Sequence, residues 1–186
     1  MSMLTIYNDD RAGERQNFSD FEQISEELHD IGVQFERWEA NQPLDANADQ
    51  EQVLLAYADA IDKLTAEYRF QSVDVIGLGP DHPDKAALRQ KFFTEHTHDD
   101  FEVRFFVQGS GLFYLHADNK VYVVLCEQGD LISIPANTTH WFDMGENPDF
   151  QCIRFFTTPD GWEANYTGDD IAQLFPGYDE FVSSAA

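Results

Sequence analysis

The sequence predicts a mainly β fold with helices packed on the outside, and two observations lead to this prediction. Residues 101–129 are rich in Val, Phe, Tyr and Leu, and turn residues such as Gly109, Gly111 and Gly129 interrupt them. This composition is typical of a meander of short antiparallel strands. The preceding segment, residues 1–91, contains stretches in which apolar residues recur at helical spacing.

Three helices are predicted before the β-rich segment. The first runs from a capping box at Ser19 to a glycine stop at Gly32, and the second from about Asp49 to Tyr68 with one apolar stripe. Pro83 opens the third, which continues towards Lys91, because proline suits the first helical turn. The other elements predicted here are strands at Val33–Trp38 and Ser72–Gly77 and a loop at residues 41–45.

No linker, repeat or low-complexity run divides the 186 residues, and their 42% hydrophobic content is enough for one buried core. We therefore expect a single domain over residues 1–186. It would comprise a helical N-terminal part at about 1–91, a core at about 92–157 and a C-terminal segment at about 158–186. That last segment would wrap around the core with one short helix near Asp169–Leu174, and its final residues would be frayed.

The net charge of −24, from 35 acidic and 11 basic residues, excludes some classes of partner. No cluster of Lys or Arg could follow a phosphate backbone, so we expect neither nucleic acid nor an anionic membrane as a partner. The N-terminus lacks the basic start and apolar stretch of a signal peptide. The two cysteines are too few for a secreted disulfide framework. We expect a cytoplasmic monomer.

Four residues between positions 95 and 144 are spaced as ligands of one metal ion. His96 and His98 lie in one predicted strand, where alternate side chains share a face. Glu102 begins the next strand. His140 follows Asn137, which tolerates the positive φ of a turn that presents the histidine. The pattern therefore predicts a metal site built from His96, His98, Glu102 and His140.

Three imidazoles and one carboxylate suit Fe(II), Ni(II), Mn(II) or Zn(II), and on an octahedral ion they leave two adjacent positions open for chemistry. The alternative is that each histidine is an ordinary strand residue with a satisfied hydrogen bond, which an HxH pair alone would not exclude. Four ligand residues at this spacing favour the metal site. His29, His82 and His116 have no second ligand at useful spacing, so we interpret them as non-ligands.

Other residues are candidates for the wall of the metal cavity. Arg104 shares the face of Glu102 by the period of two, which points it towards the metal. Phe92 has the parity of His96 and either lines the cavity or belongs to the core. Phe142 keeps the parity of His140, and Arg154 either points inwards to a substrate anion or lies on the surface.

These residues carry a family resemblance. HTHDDFEVRFFVQG fits the first cupin motif, HxHx(3)Ex(6)G, and GDLISIPANTTH fits the second, Gx(5)PxGxxH, with Asn137 at the second glycine. The resemblance implies a cupin double-stranded β-helix, a jelly-roll barrel, with peripheral N-terminal α-helices. Within the cupins, the EHTH…EVRFFVQGSGLF, IPANTTHWFDMG and IRFF…GWEANYTG stretches resemble the acireductone dioxygenases of bacterial methionine salvage, over most of the chain.

This resemblance implies oxidation of 1,2-dihydroxy-5-(methylthio)pent-1-en-3-one by dioxygen, with one Fe(II) or Ni(II) per chain. The Fe(II) form would give 4-methylthio-2-oxobutanoate and formate, and the Ni(II) form 3-methylthiopropanoate, formate and carbon monoxide. The arginine that matches Arg104 stabilises the substrate dianion in the family. Phe92, Phe142 and Trp162 are candidate walls for the thioether tail, and Arg154 is a candidate second contact for the anion.

Two further positions are interpreted through the resemblance. The family assigns the residue at Glu95 a part in metal incorporation. It usually has an acid at the position of Phe101, so this phenylalanine is a departure that puts any supporting role of that position in doubt. The four ligand positions are unaffected by the departure.

Two other functions have to be weighed. Another cupin dioxygenase or a sugar isomerase could use the same ligands, since fold does not fix function, but the EVRFF and HWFDMG contexts favour acireductone. A non-catalytic cupin for ligand sensing or storage typically loses ligands or joins another domain. Here all four ligands are kept, and neither a DNA-binding helix pair nor a basic patch is attached.

Overall fold

The computed structural model describes residues 1–44 and 48–185, so the end of the predicted loop at 41–45 lies outside the described residues. The helices are α1 (Phe21–His29), α2 (Gln50–Ala56), α3 (Ala58–Tyr68), α4 (Lys85–Phe92) and α5 (Tyr178–Ala185), with a 3-10 helix at Ile171–Leu174. The strands are β1 (Met3–Asn8), β2 (Gln16–Phe18), β3 (Gln34–Arg37), β4 (Ser72–Leu78), β5 (His96–Thr97), β6 (Glu102–Ala117), β7 (Lys120–Glu127), β8 (Asp130–Ile134), β9 (Thr139–Asp143), β10 (Phe150–Phe156) and β11 (Asn165–Tyr166).

These strands form two antiparallel sheets that share β6. The first sheet has the order β11-β5-β9-β6-β7-β1-β2, and the second has the order β3-β8-β6-β10-β4. Because one strand belongs to both, the sheets curve into a barrel whose inward side chains face one another. The mainly β architecture predicted from the sequence is confirmed.

Strand β6 passes from the second sheet to the first at Gly109. Its residues up to Gly109 pair with β8 and β10, and its residues from Ser110 onwards pair with β7 and β9. Gly109 has φ +67°, and a Cβ at this position would lie 1.8 Å from the carbonyl oxygen of Asp149. Only glycine fits this bend, since it has no Cβ and tolerates positive φ.

Apolar side chains lie in three layers around the two sheets. The barrel interior contains Phe106, Phe113, Ile132, Phe142 and Phe150, and Ile24 and Leu28 of α1 pack against it. On the outer face of the second sheet, Val103 and Phe105 pack with Val53, Tyr57 and Leu64 of the α2–α3 region. On the outer face of the first sheet, Leu112, Tyr114 and Trp141 pack with Phe175 and Phe181 of the C-terminal segment. The helices and the C-terminal segment therefore cover the outer faces of the sheets.

Two predicted helix features differ from the structure. The helix expected at Asp49–Tyr68 is two helices, because the backbone at Tyr57 leaves helical geometry (φ −109°, ψ 19°). The ring of Tyr57 is 3% exposed and packs edge-on against Phe105 at 5.6 Å, so packing against the sheet overrides the helical pattern. The cap of α1 is Asp20 rather than Ser19, since the Asp20 carboxylate accepts the N–H of Gln23.

The ends of several elements also differ from the sequence prediction. Helix α4 begins at Lys85, two residues after Pro83, and Phe92 is its last residue rather than part of a strand. Strand β1, the 3-residue β2 and helix α5 were not predicted, and α5 includes Ser183 and Ser184 of the serine-alanine end that we expected to be frayed. No helix among the described residues combines the length and apolar character that crossing a membrane requires.

We predict that Gly109→Ala destabilises the protein by more than about 1 kcal/mol, because alanine is incompatible with both the positive φ and the contact with Asp149. The measurement is the urea midpoint of unfolding. Gly79→Ala is the matched control, since its Cβ would meet nothing within 4 Å. An equal midpoint for the two variants would contradict the role of Gly109.

Candidate metal centre

Four buried side chains converge between the two sheets. The ligand atoms of His96, His98, Glu102 and His140 all lie within 4.8 Å of one another, and we call these residues the metal group. The Oε2 atom of Glu102 is 2.5 Å from His140 Nε2 and 3.3 Å from His98 Nε2. The structure therefore brings together the four residues that the sequence motif singled out.

The sheet register and one turn place these ligands. His96 of β5 lies directly opposite His140 of β9 in the first sheet. Asn137, with φ +63°, makes the turn before β9, and its N–H donates to the carbonyl oxygen of His98 at 2.8 Å. Glu102 begins β6 in the second sheet, opposite Ile134. Two ligands thus come from paired strands of one sheet, and Glu102 approaches from the other.

Each histidine of the metal group is oriented by a backbone carbonyl. The Nδ1 atoms of His96, His98 and His140 lie 2.6, 2.7 and 2.7 Å from the carbonyl oxygens of Thr94, Glu163 and Thr138. A carbonyl oxygen can only accept, so every Nδ1 carries a hydrogen and donates it. This leaves each Nε2 facing the centre of the group, the orientation of metal-binding histidines.

Two buried atoms of the metal group indicate that these residues fit a bound ion. Glu102 Oε2 and His140 Nε2 are buried without a hydrogen-bond partner. Burial and the neighbouring His140 lower the pKa of His96 to about 4, which leaves His96 neutral. A divalent cation serves all four ligand atoms at once, because neutral imidazole and carboxylate are both good ligands. The residues fit a bound metal ion.

The charge of Glu102 is balanced by Arg104. Burial opposes the ionised form of Glu102, but the positive charge of Arg104 and the contacts with His140 and His98 hold the pKa of this carboxyl well below its usual range. Arg104 Nε donates to Glu102 Oε1 at 2.5 Å, and its Nη2 contacts the same oxygen. One carboxylate oxygen is thus taken by Arg104, and the other faces the histidines. Burial likewise opposes the charged form of His98, but Glu102 outweighs it and raises the pKa of His98.

A cavity of about 80 Å³ lies against the metal group, and we call it the metal cavity. Apart from the ligands, its walls comprise three cationic residues, four aromatic residues and one alanine, namely Lys91, Arg104, Arg154, Phe92, Phe156, Trp162, Tyr166 and Ala164. Trp162 and Tyr166 are 50% and 49% exposed, so they form the solvent side of the cavity. The arrangement can bind a small molecule that has anionic oxygens and an apolar part.

The predicted wall residues occupy different places. Phe92, Trp162 and Arg154 line the metal cavity, and Arg154 is also held by the carboxylate of Asp74. Phe142 does not line the cavity but lies behind it, with its ring centroid 5.8 Å from the guanidinium carbon of Arg104. Phe142 therefore lies on the inward face of β9 that its parity with His140 predicts, but it contacts Arg104 instead of lining the cavity.

The two positions interpreted through the family resemblance lie outside the metal cavity. Glu95 is buried, and its carboxylate accepts from His116 Nδ1 at 3.0 Å and from Thr167 Oγ1 at 2.6 Å. His116, which we interpreted as a non-ligand, thus contacts Glu95 rather than the metal group. Phe101 is 45% exposed and lies near Tyr68 on the outside of the barrel.

Sequence reasoning missed the role of Asp100. Its carboxylate accepts hydrogen bonds from the backbone of Phe101 and from the backbone and hydroxyl groups of Thr157 and Thr158. Burial opposes ionisation of Asp100, but these donors, led by Thr157, lower its pKa. The contacts fix the chain after β10, which carries the Glu163 carbonyl to His98. No local pattern marks this role, because the threonines are 57 and 58 residues away.

The fold and the metal group together define a metal-binding barrel of the cupin class. The sequence matches the model of the ARD/ARD' family over residues 3–164. The chain belongs to this family and is therefore a metal-dependent dioxygenase, an oxidoreductase.

Known relatives agree along the whole chain. A protein of Aquifex aeolicus named acireductone dioxygenase is 58% identical over 98% of this chain and 100% of its own length. One of Methylococcus capsulatus with the same name is 50% identical over the full length of both chains. A solved structure of acireductone dioxygenase from Bacillus anthracis, with a cadmium ion in its active centre, has a TM-score of 0.79 and 28% identity over 89% of this chain and 98% of that chain.

We predict that His140→Ala loses bound metal while the helices survive, because the apolar layers that hold the barrel do not include this side chain. Metal analysis of the purified variant and its far-UV circular dichroism are the measurements. His29→Ala is the matched control, since His29 is an exposed residue of α1. Full metal content in His140→Ala would show that His140 is not a ligand.

Proposed function

We propose that this chain oxidises 1,2-dihydroxy-5-(methylthio)pent-1-en-3-one, or acireductone, with dioxygen in methionine salvage. The observation that carries the proposal is that one cavity joins the metal group to the guanidinium of Arg104 and to aromatic walls. Such a cavity matches a substrate with anionic oxygens at one end and a thioether at the other. The names of the full-length relatives support the same substrate.

We propose Fe(II) or Ni(II) as the ion, one per chain. Three imidazole nitrogens and one carboxylate oxygen form a borderline ligand set that accepts either ion. When bound, the ion supplies a chelation point for the enediol and lowers the pKa of its hydroxyl. His96, His98, Glu102 and His140 would hold the ion in this proposal.

Arg104 is placed to stabilise the charge of the bound substrate. Its Nε and Nη2 are engaged by Glu102, which leaves Nη1 for a substrate oxygen. The side chain is only 9% exposed and lies against the aromatic rings of Phe113 and Phe142. A fixed positive group in a site with little water is the arrangement that stabilises a developing anion most strongly.

The aromatic walls would hold the apolar end of the substrate. Phe92 lies on one side of the metal cavity, and Trp162 lies on its solvent side. A thioether sulfur makes favourable contacts with aromatic rings. Phe142 would act indirectly here, because its ring supports Arg104 rather than the cavity wall.

Glu95 would take part in metal incorporation, as the family resemblance implies. It directly precedes His96, and its hydrogen bonds to His116 and Thr167 fix the start of β5. We also propose that the chain acts as a cytoplasmic monomer on a small molecule and dioxygen, without nucleic acid or membrane. The net charge of −24 supports the last part, because it repels anionic polymers and anionic lipid surfaces.

We predict that the bound metal alone selects the products. Apo-protein reconstituted with Fe(II) should yield formate and 4-methylthio-2-oxobutanoate without carbon monoxide, and the Ni(II) form should release carbon monoxide with 3-methylthiopropanoate and formate. The reason is that substrate and dioxygen meet in the same cavity in both forms. The measurement is headspace gas analysis of the two forms made from one apo batch; equal carbon monoxide yields would disprove it.

We predict that Arg104→Ala lowers turnover of acireductone by roughly a hundredfold or more, the usual scale for loss of one charge-stabilising group. Metal content should remain near that of the unaltered protein, because the four ligands are kept. Steady-state kinetics and metal analysis test this. Arg15→Ala is the control, since Arg15 is exposed and contacts Tyr7 rather than the cavity. A normal spectrum of the bound substrate dianion in Arg104→Ala would rule out this role.

A further inference from the structure

Four charged residues lie side by side on the inner face of the second sheet. Asp74 of β4 is directly opposite Arg154 of β10, and Arg154 is directly opposite Arg104 of β6. Glu102 lies two residues before Arg104 and contacts its guanidinium. Residues that are directly opposite on antiparallel strands share a face and interact. The three strands therefore carry a row of one negative and two positive charges, and Glu102 adds a negative charge beside Arg104 along β6.

The Asp74 carboxylate holds Arg154 through two hydrogen bonds. Arg154 Nε donates to Asp74 Oδ1 at 2.7 Å, and Nη2 donates to Oδ2 at 2.6 Å. A bidentate pair of this kind fixes the plane of the guanidinium as well as its position. The Nη1 group is not used in this pair, and Arg154 lines the metal cavity. Arg154 thus borders the cavity with its Nη1 group outside the pair with Asp74.

The ion pair between Asp74 and Arg154 counteracts two effects that would move Arg154 away from the cavity. Like charges directly opposite each other are destabilising, and Arg154 faces Arg104 in the register. The Arg154 side chain is also 20% exposed, so it has solvent into which it could extend. The Asp74 carboxylate offsets the repulsion between the arginines and prevents that extension.

We propose that Asp74 is a positioning residue that holds Arg154 in the metal cavity, so that two guanidinium groups bind the anionic oxygens of the substrate. The inference rests on the proposed function, since acireductone supplies the anion. Asp74 does not line the cavity and acts only through Arg154. Arg104 is paired with one carboxylate oxygen of Glu102, so each arginine of the anion site has its own carboxylate.

A purely structural pair would behave differently from a positioning pair. The Asp74 side chain is 33% exposed, and partly exposed ion pairs contribute little to folding stability. Without the Asp74 charge, Arg154 can extend into solvent and away from Arg104, which relieves their repulsion. The thermal midpoint and the metal content should therefore stay nearly unchanged. Its effect should appear in the KM for acireductone.

The test uses the metal-loaded enzyme and the variants Asp74→Asn, Arg154→Gln and the double variant. We expect Asp74→Asn to raise KM on the order of tenfold with a smaller change in kcat, the low end of what loss of a supporting partner costs at a functional site. The double variant should match Arg154→Gln alone, because residues that act through one group are not additive. Asp74→Glu, which keeps the carboxylate, should recover part of the affinity.

Asp62→Asn is the matched control, since it removes the same charge from an exposed position on α3 and should leave KM unchanged. An unchanged KM in Asp74→Asn would overturn the inference, as would additive effects in the double variant. If the unaltered holoenzyme failed to oxidise acireductone, the proposed function would fall together with this inference. Oxidation by the unaltered enzyme with no effect of Asp74→Asn would overturn the inference alone.

Discussion

The burial of the Glu102 carboxylate between two sheets is the constraint on which the site depends. A buried carboxylate costs several kcal/mol unless its charge is compensated. Arg104 compensates one oxygen, and the second oxygen has only the histidines of the metal group around it. A metal ion completes this compensation. Glu102 therefore helps to bind the ion, and the ion in turn compensates the buried charge of Glu102.

The barrel makes that constraint possible because β6 belongs to both sheets. The half of β6 before Gly109 carries Glu102 and Arg104, and the half after it pairs with β9, which carries His140. The bend at Gly109 thus sets the approach of the carboxylate to the histidine. Helices and the C-terminal segment cover the outer faces of the sheets, and Trp162 and Tyr166 form the exposed side of the metal cavity.

The site residues that could be predicted from the sequence are those whose positions follow from local periodicity. The faces of His96, Glu102 and Arg104 follow from the two-residue repeat of a strand, and Asn137 has the positive φ that its type allows. The break at Tyr57, the anchoring by Asp100 and the hold of Asp74 on Arg154 could not be predicted. Each depends on a partner brought near by the fold; Asp74 and Arg154 are 80 residues apart.

The three carbonyl oxygens that orient the histidines determine which substitutions the site tolerates. The tautomer of each ligand is set by main-chain atoms of Thr94, Thr138 and Glu163, and every amino acid supplies such an atom. Side chains at these three positions can therefore change without reversing a ligand, provided that the backbone path is kept. Distant relatives can therefore differ in the side chains around the metal group and still keep the same metal coordination.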